Sequence, residues 1–261
     1  MLRVLIIGDV VGRPGRNILR DKLAQLQKAE KIDFTIVNAE NASGGNGLNF
    51  QCKEELLRYG ADVLTMGNHT WDNREILSYI DDEPRLVRPA NFPGDCPGQG
   101  WHVYTVGINE RLAVINLCGR VFMSPLDCPF QTVDAILQEL AGAADYIVVD
   151  MHAEATSEKI ALAHYLDGRV SALVGTHTHV PTADETILPG GTAYITDLGM
   201  TGPVDSVLGV KKEQVIQRFL TVRPVRFEVA AGAAALNGAV VELSTNGRAV
   251  SIHRIQVHMP E

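Results

Sequence analysis

Residues 3–9 read Arg3-Val4-Leu5-Ile6-Ile7-Gly8-Asp9, and residues 34–41 read Phe34-Thr35-Ile36-Val37-Asn38-Ala39-Glu40-Asn41. Each is a short apolar run that gives way to an acid. Between them, the stretch from Arg16 to Lys28 carries Ile18, Leu19, Leu23 and Leu26 at the spacing of an amphipathic helix. Strand, helix and strand in this order make a βαβ unit. Such a unit implies parallel strands joined by a right-handed crossover.

The rhythm continues outward from this unit. A Gly- and Asn-rich loop, Ala42 to Asn49, leads to a short helix over Glu54 to Arg58 and a third strand over Val63 to Met66. Pro84 to Gly100 is rich in Pro and Gly and reads as an extended connection. Val103 to Val106 and Leu112 to Leu117 flank a turn with Gly107 and Asn109 and read as an antiparallel pair. A helix over Val133 to Leu140, a strand over Tyr146 to Met151, a helix over Glu158 to Leu166 and a strand over Ala172 to Val174 follow. Further strands are expected over Ala193 to Thr196, Val225 to Val229, Gly238 to Ser244 and Val250 to Gln256. Asn246-Gly247 between the last two signals a hairpin. No repeat or linker divides the chain. The prediction is one α/β domain over residues 1–261, with two packed mixed β-sheets flanked by helices.

With 46% hydrophobic residues and a mean hydropathy of +0.03, the chain can bury a full core. A formal net charge of −8 argues against broad binding to nucleic acid or anionic membrane. It does not exclude a small anionic substrate, because a metal site brings its own positive charge. Cys52, Cys96, Cys118 and Cys128 are scattered, with no CxxC pair, and read as reduced thiols. The apolar run at the N-terminus is too short for a signal peptide, and no run suffices to span a bilayer. A cytoplasmic protein is expected, and a homo-oligomeric one.

The informative residues fall at strand ends. Asp9 follows the first strand, Asn38-Ala39-Glu40-Asn41 the second and Gly67-Asn68-His69 the third. Asp150-Met151-His152 closes the Tyr146 strand, and Gly175-Thr176-His177-Thr178-His179 closes the Ala172 strand. In open α/β sheets ligands bind at the carboxyl edge, so these loops should converge. Carboxylates, imidazoles and amide oxygens together suit borderline divalent metals such as Fe, Mn or Zn. The thiols are too few for a structural zinc site, and the histidines too many for a Mg or Ca cage. Each residue alone has a duller reading: Asp9 as a helix cap, His152 as a packed side chain. Five strand ends in a row do not.

Other motifs rank lower. Gly8-x-x-x-Gly12-x-x-Gly15 is not GxGxxG and is interrupted by Pro14, and Gly44-Gly45-Asn46-Gly47 lacks the Lys and Ser/Thr of a P-loop. His102, His164, His253 and His258 have no partners at strand ends. Arg13, Arg16 and Arg20 fit an exposed helix face more economically than an RNA-binding patch.

The strand-end blocks resemble the calcineurin-like metallophosphoesterases, whose motifs run Asp-x-His, Gly-Asp-x-x-Asp, Gly-Asn-His, a lone His and Gly-His-x-His. Two departures narrow the resemblance. Val11 stands where the first block has His, and Glu40 followed by Asn41 replaces the bridging Asp. Both are similar to the YmdB-like bacterial branch, in which the Asn supplies the missing ligand. The resemblance implies a four-layer α+β fold and a dinuclear site. Metal one would be held by Asp9, Glu40, Asn41 and His179, and metal two by Glu40, Asn68, His152 and His177. It also implies two divalent transition metal ions per chain, iron first and manganese as the alternative, and hydrolysis of 2′,3′-cyclic nucleotides.

On that basis a hydroxide shared by two ions about 3.5–4 Å apart attacks phosphorus in line. His69 is expected to protonate the leaving oxygen as general acid, with Asp72 orienting its ring. Two alternatives stand beside this phosphodiesterase. One is a phosphomonoesterase; the other is a regulatory protein that binds a nucleotide or RNA and turns over slowly.

Overall fold

The structure is a computed structural model and describes residues 1–259. The opening βαβ unit is β1 (Leu2–Ile7), α1 (Gly12–Glu30) and β2 (Phe34–Asn38). It continues through α2 (Phe50–Tyr59), β3 (Val63–Thr65) and β4 (Leu86–Val87). These four strands are mutually parallel. The same sheet is completed from the far end of the chain by β11 (Gly202–Pro203), β12 (Ala234–Leu243) and β13 (Ala249–Met259), with β12 antiparallel to β1.

The second sheet has the order β5-β6-β7-β8-β10-β9. Its members are β5 (Trp101–Val106), β6 (Glu110–Cys118), β7 (Tyr146–His152), β8 (Ala172–Thr176), β9 (Thr186–Ile187) and β10 (Ala193–Ile195). β6, β7, β8 and β10 run parallel, whereas the edges β5 and β9 are antiparallel. Both sheets are therefore mixed, as expected.

Alternation along the strands builds the layers. In β1, Leu2, Val4 and Ile6 face the second sheet, where they meet Leu112, Val114, Val148 and Val174. Leu5 and Ile7 face the other way, against Ile18, Leu19 and Leu23 of α1 and Leu56 of α2. The outer face of the second sheet packs on α3 (Pro129–Glu139) and α4 (Thr156–Leu166). Strands buried on both faces must be apolar throughout, which explains the unbroken Val/Ile/Leu runs. The result is four layers, α/β/β/α.

Several sequence boundaries shift. α1 begins at Gly12, earlier than Arg16, and α2 spans Phe50–Tyr59, beyond Glu54–Arg58. Asn49 caps α2 by accepting from Cys52 N at 2.8 Å. The connection from Pro84 to Gly100 contains the short strand β4. The strand expected over Val225 to Val229 is absent: Val229 makes one bridge to Val210, and the rest has no ladder. Pro224 offers no donor there, and Arg226, Phe227 and Glu228 face solvent. A helix not expected from sequence, α5 (Lys212–Thr221), precedes this segment. Its apolar side chains are largely exposed, Phe219 and Leu220 among them, so it lacks the buried stripe by which a helix is read. Among the described residues no helix is long and apolar enough to cross a membrane. All four cysteines are free, with Cys52 and Cys118 buried.

The layer between the sheets should dominate stability. Ile6→Ala, at a site 1% exposed, is expected to lower the unfolding free energy by about 2–5 kcal/mol in urea. Phe219→Ser, at a site 81% exposed, should change it by no more than about 0.5 kcal/mol. Comparable losses for the two would contradict this layering.

Candidate metal centre

The carboxyl ends of β1, β2, β3, β7 and β8 meet at one edge where the two sheets face each other. His152 Nε2 is the centre of the group. It lies 2.9 Å from Asn68 Oδ1, 3.1 Å from Glu40 Oε1 and 3.0 Å from His177 Nδ1. Glu40 and His152 are buried to 1% and 0% exposure. Close contact among groups that offer lone pairs is unfavourable unless a cation or a proton sits among them. Gly67 makes the approach possible, since a Cβ there would collide with Glu40 Oε2 and the His152 ring.

Beside this cluster, Asn41 Nδ2 lies 3.0 Å from Glu40 Oε1 and 3.1 Å from His179 Nε2. A half-turn of the amide would put its oxygen in the same place. Asp9 Oδ2 accepts from His177 N at 3.2 Å. Asp9 Oδ1 is buried and has no hydrogen-bond partner. An orphaned buried carboxylate oxygen is costly, and its place beside these donors suits a cation. Val11 is packed inside the fold, with its backbone N–H on Thr201 O.

The three imidazoles share one arrangement. One nitrogen of each faces the cluster and the other faces an acceptor. Thr176 Oγ1 lies 3.0 Å from His152 Nδ1 and Leu208 O 3.0 Å from His179 Nδ1, both as hydrogen bonds, whereas the half-exposed Glu154 carboxylate makes only an ion-pair contact of 3.2 Å with His177 Nε2. Outer acceptors of this kind fix the tautomer and aim the remaining lone pair inward, as in metal-binding histidines. The chemistry of the donor set and the orphaned oxygen both fit divalent metal.

Charge follows the same logic. Burial works against charge on His152, but the carboxylates of Glu40, Asp9 and Asp150 outweigh it and push His152 up to about 9. Burial and the facing His152 push His177 down to about 3. Burial raises Asp9 to about 6 against the pull of His179 and His152. Glu40 is held at about 2, because His152 and His69 outweigh its burial.

Supports lie one step further out, and most are not singled out by the sequence. Asp150, 1% exposed, accepts from Thr65 Oγ1 at 2.6 Å, Thr176 Oγ1 at 2.7 Å and Asn38 Nδ2 at 3.2 Å. Thr176 thus links Asp150 to His152. Asp197 Oδ2 accepts from Lys159 Nζ at 2.7 Å and from Thr178 N and Oγ1 at 3.1 and 2.8 Å. These bonds hold the turn on which His177 and His179 take φ values of 98° and 65°, a backbone region that non-glycine residues rarely occupy. Two sequence signals point to these supports. Asp150 shares a strand face with His152 at i+2, and Lys159 lies in helical register with Leu162, Ala163 and Leu166.

His69 stands at the rim. Its N–H donates to Glu40 Oε2 at 3.1 Å, and its ring Nδ1 lies 2.7 Å from Asp72 Oδ2. Every residue predicted for the site is therefore in this one region. Cys118 is fully buried, and burial raises its thiol well above the ordinary range, an environment that disfavours thiolate chemistry.

Residues 5–255 match the family model described as "YmdB-like protein". The chain is similar to the 2′,3′-cyclic-nucleotide 2′-phosphodiesterase of Bacillus subtilis (strain 168). The two are 53% identical over 258 residues, covering 98% of this chain and 97% of the relative. A solved hypothetical protein from Thermus thermophilus superposes with a TM-score of 0.95 at 44% identity, covering 99% of this chain and 100% of that one. A Mycoplasma pneumoniae structure described as a novel phosphatase gives 0.94 at 38%, covering 100% and 94%. The 5′-nucleotidase precursor of Thermus thermophilus shares the fold at a TM-score of 0.61 and 14% identity, with 99% of this chain against 54% of that one.

A proton and a cation compete for the same His152 lone pair. Above pH 7 Glu40 and Asp9 are ionised and His177 is neutral, while the His152 proton, lost near 9, must leave before its lone pair can bind a cation. The affinity of chelator-stripped protein for Mn²⁺ should then rise about tenfold per pH unit from 7 towards 9 under anaerobic calorimetry. A flat profile would remove His152 from the ligand set. Lys159→Met, which strands Asp197 in the core, is expected to cost about 3–5 kcal/mol in urea unfolding; a loss below about 1 kcal/mol would show that the ion pair does not hold the turn.

Proposed function

The chain belongs to the YmdB-like family, and we propose that it is a metal-dependent phosphodiesterase that opens 2′,3′-cyclic nucleotides. The observation that carries this reading is the inward-facing lone-pair cluster around His152, with His69 held at its rim. There, Glu40, Asn68, His152 and His177 would hold one divalent ion, and Asp9, Glu40, Asn41 and His179 would hold a second. Divalent Fe, Mn and Zn all suit this mixed N/O set; the family resemblance puts iron first, with manganese as the alternative. When bound, the ions neutralise charge on the phosphate and make water acidic enough to attack phosphorus.

The protein supplies the other half of the reaction. The Nδ1 contact with Asp72 leaves His69 Nε2 as the nitrogen that can face a substrate. His69 itself is partly exposed, with its side chain at 32%, so a diester can reach it. From there it donates a proton to the ribose oxygen as the P–O bond breaks. Asp72 holds the ring in the orientation that presents this proton. A ribose alkoxide is a poor leaving group and gains most from such a donor. The relative from B. subtilis, at 53% identity, supports the diester as substrate. The phosphatase description of the M. pneumoniae structure keeps monoesters in the assay.

Protein purified anaerobically and loaded with Fe²⁺ or Mn²⁺ should cleave 2′,3′-cyclic AMP faster than 3′,5′-cyclic AMP or AMP. His69→Ala should retain its metal while losing about 10²–10⁴ in turnover of the ribose diester. The same variant should largely keep turnover of p-nitrophenyl phosphate, whose leaving group needs no proton. Equal losses on both substrates would take His69 out of the acid role.

A further inference from the structure

An apolar slot adjoins the candidate metal centre and is not used by the chemistry above. Trp71, Phe92, Met123 and Leu126 line it, with Asn68 and Ser124 as its polar edges, and its volume is about 150 Å³. Asn68 belongs to both places, since its Oδ1 also lies 2.9 Å from His152 Nε2. The slot therefore borders the lone-pair cluster across Asn68.

Packing holds its two aromatic walls. Phe92 is 7% exposed, and its ring centroid lies 5.8 Å from that of Trp71 at 43°. Trp71 in turn packs against the core beneath α1 and α2. No charged side chain lines the slot, so it suits a neutral ring and not a second phosphate. It is also smaller than the roughly 300 Å³ at which sites for whole drug-sized ligands begin. One ring system fits this description.

We infer that this slot holds the base of the substrate nucleotide, stacked on Trp71. The inference rests on the diesterase reading, and bond connectivity gives the direction. The oxygen that accepts the proton belongs to the ribose, so ribose and base must lie on the side of the proton donor. Asn68 and Trp71 flank His69 in the chain and put the slot on that side. The cleft beside His179, lined by Gly44, Gly45, Leu208 and Phe227, borders none of residues 68–72. Bases stack on aromatic rings with little regard to sequence. Discrimination between bases then falls to Ser124, whose hydroxyl can both donate and accept.

The chain has two tryptophans, so Trp101→Phe leaves Trp71 as the one indole reporter. Titrating that Mn²⁺-loaded variant with adenosine 3′-monophosphate should quench its fluorescence, and ribose 5-phosphate should not. No quenching by the nucleotide, or equal quenching by both, overturns the slot. Independently, Trp71→Leu should raise KM for 2′,3′-cyclic AMP about tenfold more than KM for methyl riboside 2,3-cyclic phosphate. Equal increases for the two substrates also overturn it. Quenching by the nucleotide in a wild-type protein that turns over no cyclic phosphate would sink the diesterase reading and uphold the slot.

Discussion

Two sheets pressed face to face through Val, Ile and Leu attract each other strongly, but such contact does not fix their register. Asp150 does. Its carboxylate sits on β7 of one sheet and accepts from Asn38 and Thr65 on β2 and β3 of the other, and from Thr176 beside it. Burial raises its pKa, against the pull of His152 and these three donors, yet all its partners are satisfied. Buried and fully bonded, such a group specifies one arrangement where an apolar pair would tolerate several. The candidate metal centre draws its donors from both sheets, so its geometry depends on that register.

The edge carries a second constraint. His177 and His179 occupy left-handed backbone, and Lys159 and Asp197, both without solvent exposure, hold the turn between them. Strain of this kind costs of order 1–3 kcal/mol per residue and persists only where the surroundings dictate it. Here the surroundings are an ion pair in the core. It gains its worth from hydrogen bonds to Thr178 as much as from Coulomb attraction, since desolvation opposes the latter.

Much of this is legible in the sequence. The βαβ rhythm marks the parallel strands, and acids, amides and histidines at strand ends mark the candidate ligand set. What escapes has physical causes. β4, β9 and β11 are two residues each, too short for any period to register. α5 shows solvent its apolar side chains and so carries no buried stripe. The Val225 to Val229 stretch has β-branched residues but no sheet edge to join. Lys159 shares the buried register of Leu162, Ala163 and Leu166, but a lysine there is not read as buried without a partner. Only the burial of Asp197 explains it.

The outer acceptors of the imidazoles have one more consequence. Thr176 and Leu208 aim the rings of His152 and His179 by hydrogen bonds within the protein, and the apolar layers behind them are built mainly from Val, Ile and Leu. The chain is therefore unlike a zinc finger, in which binding and folding are the same event. In such a fold the apolar layers, and not an ion, carry the stability, so a chelator would leave the chain folded.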